Sequence, residues 1–98
     1  MSSNISVVKR DGTKVQYDGY EIARSIEEAA FGLPDPVTHA TQLRAELEIT
    51  LFDGISSEQL DEAVIQVALQ NVKDDPAFDT IAARLLIKSL YKKIFGEG

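Results

Sequence analysis

The chain contains no cysteine and no tryptophan. Without thiols it can build no disulfide, no thiolate zinc site and no cysteine nucleophile. That lack fits a cytoplasmic protein. A single histidine, His39, leaves no Ser-His-Asp arrangement that the spacing supports. The six glycines form neither GxGxxG nor GxxxxGK[ST], which excludes a Rossmann or P-loop nucleotide site. No apolar run approaches the roughly 18 residues that span a bilayer, so no membrane partner is expected. The opening MSSNIS has no basic stretch leading into an apolar one, so no secretory leader is expected. Excess positive charge is also missing. Ten Lys and Arg stand against 16 Asp and Glu, a net charge of -6, which argues against a nucleic-acid partner.

What is present suits one folded unit. Ninety-eight residues with 44% apolar content support a single domain, taken as 1–98. The charge is unevenly spread. Lys9, Arg10 and Lys14 cluster near the start, and residues 80–95 hold Arg84, Lys88, Lys92 and Lys93 with no acid. Most carboxylates lie between. A fold that joins the two ends would create one cationic region; otherwise both are solvated surface.

The pattern predicts a β-hairpin over 5–17 and helices over about 19–31, 38–51, 57–73 and 77–95. Val, Ile, Thr and Tyr flank Asp11-Gly12, a two-residue hairpin signal. A turn that tight sets Val8 opposite Val15 and Lys9 opposite Lys14. Asp18 and Glu21 have capping-box spacing, and Ile22, Ile26, Ala29 and Leu33 form the stripe of the first helix. The second helix is expected to start at Thr38 and to carry Leu43, Leu47 and Leu51, with His39 in a surface or capping role. Ser56 and Gln59 mark the third start, and its broad apolar arc places it at the centre of the core. In the fourth, Asp75 caps, Pro76 opens, and Ala83, Leu86, Leu90 and Ile94 are expected inward. The class is therefore α+β, an N-terminal β-hairpin cap over a four-helix bundle.

No catalytic residue and no metal-ligand spacing stands out. What remains is a candidate polyanion site. Lys9 and Arg10 come from the hairpin, Ser56, Ser57 and free amides from the start of the third helix, and Lys88 and Lys92 from the fourth. Capping alone also explains Ser56.

The stretch VVKRDG followed by V-x-Y-D and E-I-x-x-S-I resembles the opening of the ATP-cone, a regulatory nucleotide-binding domain. FDGISSEQLDEAVIQVAL and AARLLIKSLYKKIFG extend the resemblance over almost the whole chain, the latter to the end of the cone in ribonucleotide reductase large subunits. The resemblance implies a module that performs no chemistry itself. It binds ATP or dATP as allosteric effector, with Mg²⁺ an open question. Its implied partners are the catalytic domain of the same polypeptide and other reductase subunits.

The resemblance also implies roles. Within Lys9-Arg10-Asp11-Gly12, Lys9 contacts phosphate and the hairpin covers the nucleotide. Asp18 accepts from the adenine amino group, Ile22 lies under the base, and Ser57 and Lys92 reach phosphates. Two positions depart from the family pattern. Asp61 stands where the family has histidine, and Glu21 where it has a basic residue. A carboxylate beside triphosphate is unfavourable without a screening cation, which brings Mg²⁺ into question at Asp61. Two other readings stay open at this point. One is the cone of a nucleotide-sensing repressor; the other is a helical interaction module that binds no nucleotide.

Overall fold

The computed structural model describes residues 5–95, so the expected domain span of 1–98 extends past them at both ends. Within them the order is β1 (Ser6–Val8), β2 (Lys14–Gln16), α1 (Gly19–Ala29), α2 (Pro36–Thr50), β3 (Ile55–Ser56), α3 (Ser57–Gln70) and α4 (Ala77–Phe95). A small sheet of order β2-β1-β3 lies against four helices, an α+β fold.

The hairpin register differs by one residue from the tight turn predicted. Val7 pairs with Val15, and Val8 with Lys14. The Lys9 amide donates to the Thr13 carbonyl, leaving Arg10, Asp11 and Gly12 as a three-residue tip. Gly12 sits at φ 88°, the left-handed residue that such a loop requires. Asp11 Oδ1 accepts from the Thr13 amide and locks the tip. A slip of one residue exchanges the faces of a strand. Lys9 therefore shares the face of buried Val7, while Lys14 lies opposite Val8 on the other side. The expected Lys9–Lys14 opposition does not exist.

β3 was not read from the sequence. It runs parallel to β1, pairing Val7 with Ile55 and Val8 with Ser56. Asp53 Oδ1 accepts from the Ser6 amide at 2.8 Å, and the Gly54 amide donates to the Ser6 carbonyl at 2.9 Å. This short pairing fixes the start of α3 beside the hairpin.

α2 begins two residues before the predicted Thr38. Asp35 is its N-cap residue in the left-handed region at φ 55°, and Pro36 fills the first turn, where its missing N–H costs nothing. Thr38 is thereby inside the helix, and His39 is buried rather than at the surface. The His39 ring meets Phe78 edge-on at 4.8 Å, and its Nε2 lies 2.9 Å from Asp75 Oδ2. Asp75 Oδ1 also accepts from the Ala77 amide and caps α4.

α3 is central. Leu60, Val64, Ile65, Val67 and Ala68 are all buried, together with Ile26, Leu43, Leu47, Phe78 and Ile81 from the other helices. Its capping box is complete, with Ser56 Oγ accepting from the Gln59 amide and Gln59 Oε1 accepting from the Ser56 amide. α4 is rotated relative to the expected stripe. Phe78, Ile81, Ala82, Leu85 and Ser89 face inward, whereas Ala83, Leu86, Leu90 and Ile94 are exposed. Arg84 explains part of that choice. Its Nη1 donates to the carbonyls of Ala29 and Phe31, satisfying the C-terminal end of α1.

Candidate functional site

An open cleft of about 110 Å³ lies between the hairpin and the helices. Lys9 reaches it from the strand face set by the register, and Val7 and Val15 form the apolar wall. Asp18, Glu21 and Ile22 come from the start of α1. Ser57, Leu60 and Asp61 come from the first turns of α3, and Lys92 from the last turn of α4. Residues far apart in sequence thus meet because β3 holds the start of α3 to β1.

Of the residues singled out from sequence, Lys9, Asp18, Ile22, Ser57, Asp61 and Lys92 line this cleft together. Arg10, Asp11 and Gly12 form the hairpin tip and do not line it. Lys88 lines a small neighbouring pocket of about 30 Å³ with Ser25, Ser89 and Leu85. Its Nζ donates to Ser25 Oγ at 2.9 Å and lies 3.7 Å from Glu28 Oε1. Ile22, Asp61 and Lys92 border both spaces.

The cations of α4 do not act as one free stripe. Arg84 caps α1, Lys88 meets Ser25 and Glu28, and Lys93 lies 3.6 Å from Glu58. Lys92 Nζ sits 3.4 Å from Asp61 Oδ2. The cleft wall holds two amines, Lys9 and Lys92, and three carboxylates, Asp18, Glu21 and Asp61. An incoming polyanion therefore meets a wall that is not cationic overall until a cation joins it or the Asp61–Lys92 pair opens.

Asp18 has two duties. Its Oδ1 accepts from the amides of Tyr20 and Glu21 and caps α1. The side chain is exposed and lines the cleft. Ser57 is half-buried at the positive end of α3, where backbone N–H groups point outward. Among the described residues no group of three or more His, Cys, Asp or Glu side chains is placed to hold a metal ion. A divalent ion would need oxygens from a ligand as well as from Asp61.

Sequence reasoning missed the groups that hold the cleft from behind. Tyr17 Oη donates to Glu48 Oε2 at 2.8 Å, and Arg44 Nε donates to the same oxygen at 2.9 Å. Burial pushes the Tyr17 phenol above its usual range, and Glu48 adds to the rise. Burial also works against the Glu48 charge, yet hydrogen bonds from Arg44 and Tyr17 prevail and hold its carboxyl below the usual range. The Arg44 and Glu48 spacing of four residues was the only signal available in the sequence.

The family model of the ATP cone domain matches residues 5–93. The chain is 35% identical over 98 residues to the ribonucleoside-diphosphate reductase subunit alpha of Haemophilus influenzae. It is 33% identical over 98 residues to the ribonucleoside-diphosphate reductase 1 subunit alpha of Escherichia coli. Each alignment takes in 99% of this chain and 13% of the relative. The large subunit of Danio rerio is 28% identical over 96 residues, 93% of this chain and 12% of that protein. The chain thus spans about one eighth of the length of the curated relatives it matches.

Proposed function

The chain belongs to the ATP-cone family, and on that premise we propose that it is an allosteric module whose cleft takes ATP or dATP. The observation that carries this reading is the convergence of Lys9, Asp18, Ile22, Ser57 and Lys92 on one cleft from the hairpin, α1, α3 and α4.

Each residue has a physical task there. Ile22 offers an apolar surface to the base. Asp18, through the carboxylate oxygen not used in capping, accepts from the adenine amino group. Lys9 and Lys92 make charge-assisted hydrogen bonds to phosphate oxygens, and Ser57 adds a hydroxyl at the end of α3 where anions are favoured. The hairpin tip, Arg10-Asp11-Gly12, covers the nucleotide from outside. Lys88, held in the side cavity, is left out of the phosphate set. Mg²⁺, when it accompanies the nucleotide, would be shared between phosphate oxygens and Asp61. Its chemical contribution is charge neutralisation.

The module itself carries out no reaction. In a longer reductase polypeptide, occupancy of the cleft would act on a catalytic region and on other subunits, with ATP and dATP giving opposite outcomes. Amide shifts followed through ATP, dATP and GTP titrations test the reading. Saturable shifts at Lys9, Ser57 and Lys92 with the adenine nucleotides, and weaker ones with GTP, are expected. No saturable shift with either adenine nucleotide would overturn it.

A further inference from the structure

β2 lies at one edge of the sheet and pairs with β1. Its three residues are exposed. Yet Val15 and Gln16 from this strand, followed by Tyr17 and Asp18, wall the cleft. A helix that grips this wall from behind would help to position it.

That role falls to α2. Tyr17 packs part of its ring against the core and donates its hydroxyl to Glu48 in the last turn of α2. Arg44, one turn earlier, donates to the same Glu48 oxygen. The Arg44 guanidinium lies 5.3 Å from the centroid of the Tyr20 ring. It also occupies the space that a β-carbon on Gly19 would need. Two α2 side chains therefore engage Tyr17, Gly19 and Tyr20, the residues that bracket Asp18. α2 contributes no residue to the cleft lining itself.

The geometry points to a clasp: Glu48 and Arg44, acting through Tyr17, Gly19 and Tyr20, position the edge strand and Asp18 for nucleotide. The inference rests on the nucleotide reading of the cleft and assigns positioning residues that touch no ligand. The hydrogen bond from a neutral phenol to a carboxylate is charge-assisted and stronger than a neutral pair. Breaking it removes one tie between α2 and the residue that follows β2, so the cleft wall loosens while the helical core stays intact.

Three variants of the 98-residue chain test this: Tyr17→Phe, Glu48→Ala and Glu48→Gln. ATP affinity is read by calorimetry, hairpin opening by exchange of the Lys9 and Tyr17 amides without nucleotide, and the core by thermal melting. Tyr17→Phe and Glu48→Ala are expected to weaken ATP about three- to tenfold and to speed hairpin exchange by a similar factor. Glu48→Gln, which keeps an acceptor for the phenol, should recover part of both. The melting temperature should stay close to that of the parent in Tyr17→Phe. Unchanged hairpin exchange in Tyr17→Phe would overturn the clasp, as would a parallel fall in melting temperature and in core-amide protection. Should the parent chain itself bind no ATP, the nucleotide reading fails. The clasp is then decided by exchange alone: faster exchange confined to the hairpin supports it, and no change overturns it.

Discussion

Asp61 and Lys92 face each other across the inner end of the cleft, with Oδ2 and Nζ 3.4 Å apart and both side chains about two-thirds buried. In the sequence these two were separate expectations, one a phosphate-binding lysine and the other a misplaced carboxylate. In the fold they are one pair. A phosphate that seeks Lys92 must compete with Asp61, unless a cation satisfies the carboxylate at the same time.

Asp61→Asn separates these effects. Without Mg²⁺ the variant should bind ATP more tightly than the parent, by up to about fivefold, the range for a partly exposed ion pair. With Mg²⁺ the difference should shrink or reverse, because the parent then gains a ligand for the metal. Calorimetry with Mg²⁺ and with a chelator checks this. Equal affinity of both proteins under both conditions would leave Asp61 with only its effect at the end of α3.

Val67 is 6% exposed on the central helix. Val67→Asp buries an unpaired carboxylate, and a loss of about 4 kcal/mol or more is expected, enough to unfold a domain of this size. Thermal or urea denaturation measures it. A melting temperature within a few degrees of the parent would mean that α3 does not sit at the centre.

Asn71 ends α3 as a buried hub. Its Nδ2 donates to Glu46 Oε1 and to the Val67 carbonyl, both at 2.8 Å, and its Oδ1 accepts from Gln42 Nε2 at 2.8 Å. Asn71→Ala removes all three at the joint between α2 and α3, leaving Gln42 and Glu46 with each other and with solvent. A loss of about 2 kcal/mol is expected in denaturant titration, from the three lost hydrogen bonds of a buried side chain.

Acid should weaken the fold through three carboxyls. A hydrogen bond from His39 leads the lowering at Asp75, and the Thr13 amide leads it at Asp11. Glu48 is lowered by Arg44 and Tyr17 against the opposing effect of burial. A depressed folded value means the unfolded chain takes up protons first. The stabilisation is therefore complete above ordinary carboxyl values near pH 4 and is lost as pH falls through the lower folded values. Melting temperatures from pH 6 to pH 2 should drop most steeply below about pH 4, and less so in Glu48→Gln.

The helices were legible because their signals are local. Ser56 and Gln59 form the capping box that their spacing suggested, and Asp75 caps α4 before Pro76. The hairpin was legible as a hairpin, but its register depends on whether Gly12 is the second residue of a two-residue turn or the third of a longer one. Asp-Gly fits both. β3 has two residues, too few for periodicity to reveal, and exists because β1 offers it a partner. The α4 stripe failed for another reason. Leu86, Leu90 and Ile94 repeat at helical spacing as regularly as Phe78, Ile81, Leu85 and Ser89 do, and the second set won through contacts with α1 and α3 that no local pattern encodes. Of the six candidate residues that line the cleft, Lys9, Ser57 and Lys92 were legible as cations and a helix-start hydroxyl, whereas Asp18, Ile22 and Asp61 were named only through the resemblance. The Tyr17–Glu48 bond spans 31 positions and left no trace in spacing.

The most direct measurement is ATP titration of the parent chain beside Lys9→Ala and Lys92→Ala, with circular dichroism as the control for folding. Lys9 is exposed on the hairpin and Lys92 half-buried on the last helix, 83 positions away, so a fall in affinity in both variants points to one shared ligand. Each variant should stay folded and lose roughly ten- to hundredfold in affinity, the worth of one charge-assisted phosphate contact. Parent-like affinity in both variants would contradict the proposed cleft.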